Sequence, residues 1–192
     1  MDFNDFESDL IAKLEGSNRL TIVGIGADLR EDDAVGTILA RELILLVKNE
    51  LDEDGKASDD FSDQELIKFK NLLIINATVV PENYMTTIQE FKPDQVVFID
   101  AANLGEQGTP GDIAFVNLED LGRYTFSTHS ISLDQVIEIM KSLGVKSKFI
   151  TIGIQLKRKG YGEQLSEPVE QTKIYLLKLL SQFIKEKYLV EG

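Results

Sequence analysis

Short runs of consecutive apolar residues alternate along the chain with stretches in which apolar positions recur every three or four residues. The runs Leu20-Thr21-Ile22-Val23-Gly24, Leu72-Leu73-Ile74-Ile75-Asn76, Gln95-Val96-Val97-Phe98-Ile99-Asp100 and Lys148-Phe149-Ile150-Thr151-Ile152-Gly153-Ile154 have strand length. They predict strands buried on both faces. Phe3, Phe6, Leu10, Ile11 and Leu14 predict a helix over 3–14, stopped by Gly16. Val35, Ile38, Leu39, Leu43, Leu46 and Val47 predict a second over 34–48. Further helices are expected over 63–70, from Pro81 to about 91, over 132–143 with Ser132 as its cap, and from 167 to about 188. The turn cluster Gly108-Thr109-Pro110-Gly111 leads into a strand over 112–116. Residues 51–60 are charged and aperiodic, as in a solvated loop.

Strands alternating with helices define an α/β protein with a mostly parallel sheet covered on both faces. No internal repeat or Pro/Ser-rich linker divides the chain. One domain over 1–192 is therefore expected, with 1–18 as a helical extension and 51–62 as an acidic loop. At 192 residues, 43% of them hydrophobic, the chain can bury a core without disulfides or a structural metal. It has no cysteine, which excludes disulfides, thiolate zinc sites and cysteine nucleophiles.

The net charge of -13 opposes a phosphate backbone, so no nucleic acid partner is expected. Metal cations or a basic peptide suit that charge better. The acidic N-terminus lacks the basic and apolar regions of a signal peptide. Apolar runs such as Leu43-Ile44-Leu45-Leu46-Val47 are too short to span a bilayer. A cytoplasmic protein with no membrane partner is the expectation.

In open α/β sheets ligands gather at the carboxyl ends of the strands. There the chain places Gly24-Ile25-Gly26-Ala27-Asp28-Leu29-Arg30-Glu31-Asp32-Asp33-Ala34-Val35-Gly36. It opens like a dinucleotide fingerprint, but Leu29 stands at the third glycine position. Asp28, Glu31, Asp32 and Asp33 would repel a pyrophosphate and suit a cation. A plainer reading has Asp32 and Asp33 capping the next helix. Asp100 ends an apolar strand and His129, the only histidine, precedes a helix. Together Asp33, Asp100 and His129 would offer two oxygens and one nitrogen, a set suited to a divalent metal with open positions. A Ser–His–Asp site using Ser127 or Ser130 is disfavoured, because neither lies in a G-x-S-x-G elbow and both are sequence neighbours of the histidine.

At these residues the chain resembles the hydrogenase maturation proteases. Gly24-Ile25-Gly26 with Asp32-Asp33-Ala34-Val35-Gly36 is similar to their opening motif, Val97-Phe98-Ile99-Asp100-Ala101 to their central strand, and Ser127-Thr128-His129-Ser130 with Leu133 to their histidine motif. Gly108-Thr109-Pro110-Gly111, Ile152-Gly153-Ile154-Gln155 and Leu165-Ser166-Glu167-Pro168-Val169 follow in the same order. The resemblance covers about residues 19 to 187 and looks closest to the formate-hydrogenlyase-type branch. It implies a three-layer α/β/α sandwich around a five-stranded mixed sheet. It also implies an endopeptidase that cuts once, after a basic residue, to remove the C-terminal tail of a hydrogenase large-subunit precursor already loaded with nickel. Asp33, Asp100 and His129 then occupy the metal-contacting, catalytic positions, with the nickel supplied by the precursor, no organic cofactor, and a monomeric enzyme. Asp33 stands where some members have glutamate, and Ala27 where asparagine is common. The alternatives are a non-catalytic metal-sensing partner of the large subunit and a nucleotide-binding module.

Overall fold

The computed structural model describes residues 3–53, 65–106, 108–116, 125–126 and 131–189. The strands are β1 (Leu20–Ile25), β2 (Leu66–Phe69), β3 (Leu72–Thr78), β4 (Gln95–Asn103), β5 (Ile113–Val116), β6 (Thr125–Phe126) and β7 (Lys148–Gln155). The helices are α1 (Phe3–Leu14), α2 (Val35–Glu53), α3 (Met85–Phe91), α4 (Leu133–Ser142) and α5 (Glu167–Ile184). Short 3-10 turns, Glu31–Ala34 and Pro81–Tyr84, lead into α2 and α3, and a π turn, Lys185–Leu189, follows α5.

The sheet order is β2-β3-β1-β4-β7-β5, with β6 paired to the end of β4. β3, β1, β4 and β7 run parallel, and the edge strands β2 and β5 run antiparallel to their neighbours. Every residue of β1 is buried, as the continuous apolar run requires of a strand covered on both faces. One core lies between the sheet and α1, α2 and α5, where Ile22, Ile74, Val97, Ile99 and Ile152 point. The other lies under α3 and α4, where Val23, Ile75, Val96 and Phe98 point. The result is the expected three-layer sandwich. No helix among the described residues is long and apolar enough to cross a membrane.

Three local expectations change. Residues 66–69, read as part of a helix over 63–70, form β2 instead. A two-residue connection, Lys70-Asn71, returns the chain with Phe69 opposite Leu72, and Lys70 takes φ 48°. Four residues carry too little period to separate helix from strand, and pairing with β3 decides. This hairpin brings the sheet beyond the five strands expected. At 51–53, read as the start of a loop, α2 continues, because Leu51 packs into the core; residues 54–62 of that loop lie outside the described residues. The N-terminal helix is more than an appendage. Phe6, Leu10 and Leu14 are fully buried, and Phe6 stacks on Phe115 with ring centroids 4.6 Å apart.

Candidate active site

β1 stops pairing with β4 at Gly24 opposite Ile99, while β4 continues beside β7 with Asp100 opposite Gly153. Asp100 is thus the first residue of β4 beyond its contact with β1. The notch left there is filled by the Glu31–Ala34 turn and the start of α2, which pack on β4. The approach is backbone to backbone. A Cβ on Gly36 would stand 2.2 Å from the Ile99 carbonyl oxygen and 2.4 Å from that of Ile25. A Cβ on Gly26 would stand 2.1 Å from the Asp33 carbonyl oxygen. Close packing of helix on strand, rather than a pyrophosphate cradle, accounts for these glycines.

This packing brings two carboxylates to the same end of the sheet. Asp100 is fully buried, and by strand alternation it shares the face of Val96 and Phe98, covered by α3 and α4. Asp33 is 1% exposed, in the turn held against β4. Among the described residues its Oδ1 has no hydrogen-bond partner, and Lys159 Nζ lies 3.4 Å from it. Buried carboxylate oxygens are almost always hydrogen-bonded, so one held only by an ammonium makes Asp33 a candidate ligand position.

Asp32 has a different task. It is fully buried, and it accepts hydrogen bonds from the backbone N–H groups of Lys157 (2.8 Å), Arg158 (2.7 Å) and Ser166 (2.6 Å) and from the Ser166 hydroxyl (2.9 Å). Glu31 Oε2 accepts the Gly160 N–H at 2.7 Å, and its Oε1 lies 3.7 Å from Arg158 Nε. The Glu31 N–H donates to Gly162 O and the Gly162 N–H to Leu29 O. The acidic turn therefore clasps the loop 157–166 and fixes the start of α5. This replaces the reading of Asp32 and Asp33 as helix caps: among the described residues no side chain caps the turn, and both carboxylates meet the loop 157–166. The clasp and Lys159 escaped the sequence reading. Their signal was charge complementarity between Glu31-Asp32-Asp33 and Lys157-Arg158-Lys159-Gly160, far apart along the chain.

His129, with Ser127 and Ser130, lies outside the described residues. Among the described residues no group of three or more His, Asp or Glu side chains could hold a metal ion. Of the three expected ligands, Asp33 and Asp100 are the two the structure describes, and both belong to the notch beside β4.

Comparison with known proteins adds an independent line. The family model for hydrogenase maturation proteases matches residues 60–182. A Methanocaldococcus jannaschii protein assigned as a hydrogenase maturation protease is 29% identical over 177 residues, 92% of this chain and 95% of its own length. The hydrogenase 3 maturation protease of Escherichia coli is 23% identical over 148 residues, 76% of this chain and 78% of its own. The crystal structure of a nickel–iron hydrogenase maturation protease from Thermococcus kodakarensis superposes with a TM-score of 0.71 at 32% identity, covering 92% of this chain and 99% of that one. The match of more than half the chain to the family model, joined to near full-length similarity in sequence and fold, shows that this chain belongs to the hydrogenase maturation protease family.

Proposed function

We propose that the chain removes the C-terminal tail of a hydrogenase large-subunit precursor that carries nickel, and that Asp33, Asp100 and His129 meet that metal in the notch beside β4. The observation that carries the reading is the unspent, buried Oδ1 of Asp33 at the same strand ends as the buried Asp100. Two buried carboxylates at the same strand ends favour a cation over an anionic occupant. Binding then depends on a loaded precursor, since the nickel arrives with the substrate. Chain reach favours the third ligand. Phe126 pairs with Ala102, two residues beyond Asp100, and three residues span at most about 11 Å from there to His129.

The chain has no cysteine nucleophile, and its carboxylates suit activation of water, which we take as the attacking group. Its oxygen joins the scissile carbonyl carbon, the C–N bond breaks, and the proton lost by water ends on the departing amine. A carboxylate of the pair carries that proton as general base. The metal of the precursor, when bound, polarises the carbonyl or lowers the pKa of water. No organic cofactor enters, and we place the reaction in the cytoplasm with the enzyme as a monomer.

Mass spectrometry of the precursor, nickel-loaded and nickel-free, tests the reading. The native chain should shorten only the loaded form. Asp33→Asn, Asp100→Asn and His129→Ala should each slow cleavage by at least about 100-fold. Normal processing by all three variants would sink the site, and binding of a precursor that stays intact would make the chain a non-catalytic partner.

A further inference from the structure

The cation beside Asp33 comes from the chain itself. Lys159 Nζ lies 3.4 Å from Asp33 Oδ1, an oxygen that has no hydrogen-bond partner among the described residues. The Lys159 side chain is 31% exposed and that of Asp33 is 1% exposed. On either side of Lys159 the backbone is pinned to the same acidic turn, Arg158 N–H to Asp32 and Gly160 N–H to Glu31, each at 2.7 Å. The main chain is therefore fixed while the ammonium stands at the end of a long stem that reaches solvent. Rotation of that stem withdraws the charge without opening the loop.

A second lysine shows what a permanent ion pair looks like in this fold. Lys173, 7% exposed, lies 2.6 Å from Glu42 Oε1 and 3.0 Å from Glu170 Oε1, so two carboxylates hold it. Lys159 has a longer contact, one carboxylate and a route to water.

We propose that Lys159 is a resident counter-ion in the place of the incoming metal: it neutralises Asp33 before the precursor docks, competes with free divalent ions, and gives way to a metal delivered by a docked precursor. The proposal rests on the reading that Asp33 meets that metal. A tethered ammonium competes at a high effective concentration, so a free ion must overcome it unaided. A metal held in a bound protein also draws on the rest of the docking interface. Lys159 thereby acts as a positioning and selectivity residue, setting the preference for precursor-borne metal over free metal.

Calorimetric titration of the full-length chain with nickel(II) chloride tests this, with circular dichroism to verify folding of each variant. Lys159→Met should bind nickel at least about tenfold more tightly than the native chain, and Lys159→Arg should stay near the native affinity. Adding Asp33→Asn to Lys159→Met should remove the gain. If Lys159→Met binds no more tightly than the native chain while Asp33→Asn alone weakens binding, the role of Lys159 is overturned and the metal site stands. If the double variant keeps the gain, or no variant binds nickel, both readings fall.

Discussion

Two adjacent aspartates of the Glu31–Ala34 turn follow opposite rules. Asp32 is fully engaged by the loop 157–166, accepting from three backbone N–H groups and a hydroxyl. Asp33 is buried to the same degree, yet among the described residues its Oδ1 has no hydrogen-bond partner and meets the loop only through the ion pair with Lys159. Adjacent residues of one type and one burial thus differ in how much acceptor capacity is already used. Burial of a charge does not by itself mark chemistry, because structural carboxylates are buried too. The oxygen without a hydrogen bond distinguishes Asp33 from its structural neighbour Asp32.

That contrast can be broken from either side. The largest effect expected is on activity: Asp33→Asn should lower tail removal by at least about 100-fold while leaving the thermal midpoint within a few degrees. Asp32→Ala should do the reverse in kind. It strands four donors, costs about 2–4 kcal/mol in urea unfolding, and reduces activity only by loosening the loop. Gly36→Ala comes next, at about 1–3 kcal/mol, because its Cβ would press on the Ile99 and Ile25 carbonyls and push α2 off β4.

The smallest effect is at Lys173, where the change to Met should cost about 1 kcal/mol, since Glu42 and Glu170 can turn to water. Burial lowers the pKa of this lysine, but its hydrogen bonds to Glu42 and Glu170 outweigh burial and leave it above the ordinary 10.5. A raised folded-state pKa gives a stabilisation that is complete below the unfolded value and lost as pH climbs through the folded one. The stability gap between the native chain and Lys173→Met should therefore hold from pH 7 to about 10 and narrow above.

Much of this was legible in the sequence. β1, β3, β4 and β7 announce themselves as continuous apolar runs, and α1 by Phe6, Leu10 and Leu14 at helical spacing. Asp33 and Asp100 stand out as candidates because strand ends in α/β folds collect ligands. β2 was not legible: Leu66–Phe69 is short, and its identity comes from pairing with β3. Lys159 was invisible for a related reason. Its partner lies in another part of the sequence, and only the clasp of Glu31 and Asp32 on the loop brings the two together.

The central claim is that two aspartates and the single histidine grip one metal ion. With one histidine in the chain, the nitrogen-15 resonances of its imidazole are unambiguous. Saturating the protein with cadmium-113 should move one ring nitrogen of His129 to a metal-bound position and split it by coupling to the metal, and Asp33→Asn with Asp100→Asn should abolish both changes. An imidazole that ignores bound cadmium, or that couples equally well in the double variant, would contradict the account.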